Sequence, residues 1–500
     1  MIKHQLLGFT FFICGIFCSS IIIQWLQLFN KQNFSEIICR ICRDPNSDEA
    51  LTKESKPTFS IYGKSRNEDH LIHVLSVLKR LGLRRVPLQE NWDLLWSHDF
   101  PFRNLSKKLK NLESHQKVNH FPGCGFITNK VDLSVTNLPF QPKSYRLPKD
   151  KSKFIEYSKK HSNKLFVEKH NEHRHIFIKE KKDINLSSNE VFIQEFIDRP
   201  YLVDGYKFDI GVYVILTSVN PLRIYIYTGD VLFRYCTKQY YPFNSSIQEK
   251  YVVGDDYLPS WKVPSLKVLY NSFKFGMKDS FDGYVKSKKE EPSIIWDQIE
   301  DIVRQTILSK EKNIIIILNN YKHKKNFFEL MRFDFVVDEK LKVWLMEANM
   351  SPNLSSAHFK QNSLLYEQLL YSMFQLVGVG LPVQRNSFEK RTVDEELMIS
   401  SEKNLAVFVQ ECLKNSCESN CSKSKCKFCL NCLTKSRLQS LHDAYREHIH
   451  KADTKRIFPK PIMNYQSYVI ENEISGLSEE NEFMVKWFYG KCQKDSNWCI

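Results

Sequence analysis

Apolar and polar residues alternate, as in a half-buried strand, through "MRFDFVVD" and again through "LKVWLMEANMSP", residues 341–352. The polar "DEKLK" between them predicts a hairpin over 327–347. Residues 164–217 read as a strand series, "KLFVEK", "HIFIKE", "NEVFIQEFI" and "YKFDIGVYVILTS". "LRIYIYTGDVLFRYC" reads as a further hairpin, with Gly229-Asp230 at its turn. Apolar residues recurring at three and four predict a helix over 68–82 stopped by Gly82, and another over 294–319 beneath the sheet. "NIIIIL", Asn313–Leu318, reads as a short buried element, and "NWDLLWSHD" as a strand with structural Trp92 and Trp96. From Thr58 to about Leu147, short strand and helix signals alternate. Antiparallel strands with flanking helices give an α+β class. No repeated strand–helix–strand unit is evident, so a doubly wound sheet is not expected.

The amino terminus breaks this pattern. Leu6 to Phe29 carries no formal charge and is long enough to cross a bilayer, which needs about 20 apolar residues. It predicts a single-pass anchor over residues 1–30 and a polar linker over 31–57 that carries Cys39-x-x-Cys42. A cleaved signal peptide is the competing reading, with Cys18-Ser19-Ser20 as its small-residue site, but the apolar run continues past that point. Lys3 precedes the segment, whereas Lys31, Arg40 and Arg43 follow it, so charge counting leans toward a cytosolic body. Sequons at Asn33, Asn104, Asn185 and Asn353 would matter only in a lumenal one.

Composition narrows the partner. A chain of 500 residues, 42% hydrophobic and 13% aromatic, can bury a large core. Its 72 Lys and Arg against 57 Asp and Glu give +15, which suits an acidic partner. Basic side chains crowd residues 143–182, without the aromatic interleaving or module that nucleic-acid binding needs. Cys412, Cys417, Cys421, Cys426, Cys429 and Cys432 cluster near the carboxyl end. In a cytosolic body they read as a reduced or zinc-bound knuckle, and in a lumenal body as disulfides.

The candidate chemistry lies on the hairpin. Glu347 and Asn349 are two apart and share a strand face, and Asp334 comes beside them through the turn. Three oxygen ligands suit a hard cation such as Mg²⁺. Six segments in order resemble the tubulin–tyrosine ligase-like family of the ATP-grasp fold: "NHFPGCGFITNKVDL", "SYRLPKD", "FIQEFIDRPYLVDGYKFDIGVYVILTS", "PLRIYIYTGDVLFRY", "RFDFVVD" and "WLMEANMSPNLSS". Within it the chain is most similar to membrane-anchored, polyglutamylase-like members. The resemblance implies ATP-dependent joining of glutamate to glutamate side chains on acidic tubulin tails or microtubules through an acyl phosphate. It implies nucleotide-facing Lys130, Lys169 and Arg174, and an adenine-bordering segment Gln194, Glu195 and Phe196. Lys207, Asp209 and Arg234 would serve the reacting groups, and Asp334, Glu347 and Asn349 would hold magnesium. The matching segments stand across roughly residues 90–360, so a ligase-like domain is expected over 58–385, followed by a cysteine-rich extension over 386–500 that the resemblance does not reach.

Two positions depart from the family pattern. The family carries arginine two residues after the aspartate of "KFD", where this chain has Gly211. Loss of one preorganised donor costs on the order of 10²–10³ in rate. The phosphate-covering loop, glycine-rich in the family, reads "HNEHRHIFI" and has His175 where its first glycine belongs. Two alternatives therefore stand beside the ligase: a catalytically impaired protein that binds tubulin or nucleotide, and a lumenal cysteine-rich binding protein.

Overall fold

The computed structural model describes residues 57–500 apart from 65–67, 137, 171–175, 188–190, 380–398, 415–416, 419, 422, 462–466 and 500. The expected anchor, residues 6–29, and Cys39-x-x-Cys42 lie outside the described residues. Among those described, no helix is long and apolar enough to cross a membrane. Residues from Pro57 onward cluster as one compact unit.

Strands β1 (Thr58–Tyr62), β2 (Arg84–Arg85), β3 (Leu94–Ser97) and β4 (Lys117–Val118) form a parallel sheet in the order β2-β1-β3-β4. The helix Ile72–Arg80 crosses over from β1 to β2, and Gly82 (φ +85°) follows it in the left-handed region. This strand–helix–strand crossover has no counterpart in the sequence reading, because a two-residue strand is too short to leave an alternating signature. Trp92 and Trp96 are buried here, as expected.

A second, antiparallel sheet comprises β5 (Ser144–Leu147), β6 (Phe166–His170), β7 (Phe177–Lys179) and β8 (Val191–Glu195), ordered β5-β8-β6-β7. The helix Lys151–Lys160 buries Phe154 against Tyr145, Phe166 and Ile193 on one face of it.

The central sheet is built on β9 (Phe208–Val219), whose apolar run is almost wholly buried. Around it lie β10 (Leu222–Tyr227), β11 (Leu232–Tyr235), β12 (Leu258–Pro259), β13 (Glu329–Val337), β14 (Val343–Met350) and β15 (Thr454–Phe458). The β13–β14 hairpin forms as the alternation predicts. The expected β10–β11 hairpin does not form. β9 is long enough to pair with both strands along one edge: Ile226 lies opposite Val214, and Leu232 opposite Gly211. Asp230 breaks the chain between them and accepts amide hydrogen bonds from Val231, Met277 and Lys278, capping the helix Met277–Ser287.

The helix Ser293–Leu318 packs on this sheet through Ile295, Ile299, Ile302, Val303 and Ile307. "NIIIIL" is its last turns rather than a separate buried element, because helical geometry turns Ile314 and Leu318 inward while Ile316 stays 66% exposed. A buried clasp joins the first sheet to the central one. His120 Nδ1 lies 2.6 Å from Glu329 Oε1, and Glu329 Oε2 accepts the Phe121 amide at 2.7 Å.

The carboxyl-terminal residues are built into the same unit. β15 pairs antiparallel with β10. The helix Lys435–Ile449 places Glu447 where it accepts hydrogen bonds from Arg223 (2.7 and 2.9 Å), Tyr225 and Thr217. The six clustered cysteines pair as Cys412–Cys429, Cys417–Cys426 and Cys421–Cys432, and Cys492 pairs with Cys499. This corrects the zinc expectation: the sulfurs are bonded to one another, so no thiolate set remains to hold a metal.

Candidate active site

Pleat and register together assemble one polar face. Arg234 on β11 lies opposite Asp209 on β9. Asp334 on β13 lies opposite Gly211 on β9 and opposite Glu347 on β14, and Arg332 lies opposite Tyr213 and Asn349. Side chains two apart on a strand share a face, so these cross-strand pairs stack into a single patch.

Its hydrogen bonds are dense. Arg234 donates to both oxygens of Asp209, each at 2.8 Å, and to Asp334 at 3.2 Å. Arg332 forks onto Asp334 at 2.6 and 2.9 Å. The Asn349 amide donates to Asp334 at 3.1 Å and to Glu347 at 3.0 Å, so the three expected magnesium ligands do converge. Lys130 begins the short helix Lys130–Ser134, whose first turn is capped by Asn129, and its Nζ is 3.0 Å from Glu347.

The second sheet contributes the other wall. Lys169 donates to the Gln194 side chain at 2.7 Å, and Gln194 donates to Ser144 at 3.0 Å. Lys207, directly before β9 of the central sheet, donates to the Tyr251 carbonyl at 2.7 Å and sits 5.5 Å from the centre of the Phe196 ring. Glu195 turns to the opposite face of β8, where Tyr157 and Lys164 hold its carboxylate. The amides of Glu195 and Phe196 are bonded to the Lys143 and Leu165 carbonyls. Arg174 and His175 lie outside the described residues.

Electrostatics follow from this crowding. Burial works against ionisation of Glu347, but Lys130, Asn349 and Lys169 overcome it and hold its carboxyl well below the usual range. Burial drags Lys169 down to about 8; Glu347 opposes that shift, while Lys130 and Lys207 add to it. Lys207 is lowered by burial too, and Asp209 is raised by burial despite its Arg234 partner. Five cations (Lys130, Lys169, Lys207, Arg234 and Arg332) surround three carboxylates (Asp209, Asp334 and Glu347). Such a surplus suits a polyanion accompanied by a metal. The converged Asp334 and Glu347 carboxylates, with the Asn349 amide beside them, are the side-chain types a hard cation takes, so magnesium fits.

Arg332 carries no signal in the sequence beyond its place two residues before Asp334 on an alternating run, hence on the same face, and it was not among the expected site residues. The basic run over 143–182 is less available than expected, since Arg146, Lys153, Lys160, Lys164, Lys179 and Lys182 are each paired with a nearby carboxylate.

Residues 107–387 match the Tubulin-tyrosine ligase family. The chain is 38% identical over 463 residues to the probable tubulin polyglutamylase ttll-15 of Caenorhabditis elegans, a match covering 89% of this chain and 88% of the relative. It is 29% identical to tubulin polyglutamylase TTLL6 of Mus musculus, over 64% of this chain and 40% of that protein. It is also 29% identical to tubulin monoglutamylase TTLL4 of Homo sapiens, over 59% of this chain and 26% of that protein. It therefore spans well under half the length of these two mammalian relatives.

Proposed function

This chain belongs to the tubulin–tyrosine ligase family, and from that premise we propose that it is an ATP-dependent ligase adding glutamate to glutamate side chains of acidic tubulin tails. The observation carrying this reading is the convergence of Asp334, Glu347 and Asn349, with five cationic side chains from several elements around them. The named activities of the relatives support the same substrate class.

Bound ATP with Mg²⁺ would supply the phosphoryl group that converts the acceptor carboxylate to an acyl phosphate, from which the amine of the incoming glutamate displaces phosphate. The chain's own residues bind, orient and neutralise. Asp334, Glu347 and Asn349 would hold the metal, while Lys130, Lys169 and Lys207 would offer charge to the phosphates. Asp209 fixes Arg234 by a two-pronged bond, so that guanidinium is already set when substrate arrives. Gln194 is held between Lys169 and Ser144, and so fixes the Lys169 ammonium at the wall that would border the base.

Nucleotide binding to wild type and to the Glu347→Gln, Asn349→Ala double variant tests the site. We expect magnesium-dependent binding that the double variant loses; equal binding by both proteins would overturn the assignment. Mass spectrometry of microtubules incubated with the protein, ATP and glutamate tests the reaction, and an unchanged tubulin mass would leave only a binding role.

A second reading is favoured by the four disulfides, since such bonds persist in oxidising compartments. On it the body faces a lumen, and the acidic acceptor is a protein of that compartment. Exposed Asn104 and Asn185 supply the check. Glycan on either in the native protein selects this reading, and its absence from both selects the cytosolic one.

A further inference from the structure

The missing arginine at position 211 leaves a gap that the structure fills from another strand. A Cβ built on Gly211 would lie 2.9 Å from Arg332 Cδ, 3.3 Å from Arg332 Nε and 3.3 Å from Asp334 Oδ1. No ordinary side chain at 211 coexists with the present course of Arg332. Glycine here marks a close approach, and the group approaching is a guanidinium. Arg332 reaches this space because β13 runs beside β9 with Asp334 opposite Gly211, which puts Arg332 one pleat along on the same face.

We propose that Arg332 is the phosphate-facing guanidinium of this cleft, supplied from β13 in place of the arginine that β9 lacks, with Gly211 as the space it requires. The inference rests on the nucleotide reading above and adds a residue to it. A purely structural role, neutralising buried Asp334, explains the contact less well, because Asp334 already receives Arg234 and Asn349. A metal ion held by Asp334 would compete with Arg332 for the same two oxygens, and would leave the fork's N–H groups to donate to the phosphates that accompany the metal. Gly211 and Arg332 thus form one compensated pair. The glycine that reads as a lesion in the catalytic strand is the condition for the replacement.

The test is calorimetric binding of Mg²⁺ with a non-hydrolysable ATP analogue, and separately with ADP, to the full chain. The proteins compared are wild type, Arg332→Gly, Arg332→Lys, and the exchanged double variant Gly211→Arg with Arg332→Gly. We expect wild type to prefer the triphosphate. Arg332→Gly should weaken triphosphate binding about 10- to 100-fold, the range for losing a charged hydrogen bond, and leave ADP within about threefold. The exchanged variant should regain most of the triphosphate preference, a rescue that a structural role does not predict. Should Arg332→Gly fail to fold, Arg332→Lys keeps the buried charge without the fork and should still lose much of the preference. An unchanged preference in folded Arg332 variants, or equal loss of both nucleotides, overturns the proposal. Failure of wild type to bind either nucleotide defeats the ligase reading itself, so the two outcomes are distinct.

Discussion

Lys169 shows how burial and neighbouring charge set a working range. Its ammonium titrates near 8, below its ordinary 10.5, because burial disfavours the charged form and Lys130 and Lys207 add repulsion. Below about pH 8 the folded protein therefore carries a poorly solvated charge. Between about 8 and 10.5 the unfolded chain holds the extra proton, so this group's penalty on folding fades as pH rises. Its contribution to nucleotide binding runs the other way, since a neutral amine cannot pair with phosphate. Affinity for Mg²⁺-nucleotide is expected to fall as pH rises above about 8, with bound phosphate moving the midpoint upward. Lys169→Arg should flatten that profile, as calorimetry across pH 7 to about 9.5 will show. The residue scale is also where the sequence is most legible. The two-residue spacing of Glu347 and Asn349 is enough to put both on one strand face. Arg332, on the equivalent face of β13, escapes such a reading because an alternating run does not say which strand lies beside it.

At the scale of elements, β9 organises the molecule by being longer than its neighbours. It pairs with β10 and β11 in succession on one edge and with β13 on the other. The expected hairpin at Gly229-Asp230 failed for that reason: the dipeptide bends a single edge path, and Asp230 spends its carboxylate capping a helix. The Arg223–Glu447 pair ties the helix Lys435–Ile449 to β10. Both side chains are buried, so Glu447→Leu leaves Arg223 without its hydrogen-bonded partner and should cost about 3–5 kcal/mol, read from the urea midpoint. The double variant Arg223→Met with Glu447→Leu should recover much of that loss, because it removes both charges together.

For the whole molecule, the cysteine-rich extension is better described as a structural partner of the ligase-like fold than as an appendage. β15 covers the outer edge of β10, and Trp487 and Trp498 lie in a core shared with Leu441 and Ala444. A chain cut before Lys435 should expose the apolar edge of β10 and be recovered mainly as aggregate, measurable by size-exclusion chromatography. Soluble, nucleotide-binding truncated protein would show the extension to be separable. The disulfides make a parallel claim. Alkylation without reductant should leave Cys412, Cys417, Cys421, Cys426, Cys429, Cys432, Cys492 and Cys499 unmodified, and reductant should expose them.

What the sequence by itself determined is the content of each strand face and helix stripe, because those follow from periods of two and 3.6 along a single chain. It placed the α+β class, the hairpin carrying Asp334, Glu347 and Asn349, and the family. Tertiary structure decided which strands are neighbours and in what register, and hence that Arg332 passes over Gly211, that Asp230 caps a helix, and that six cysteines bond to one another. Those contacts join residues far apart in sequence. Their partners are chosen by the packing of a shared core, which no local period encodes.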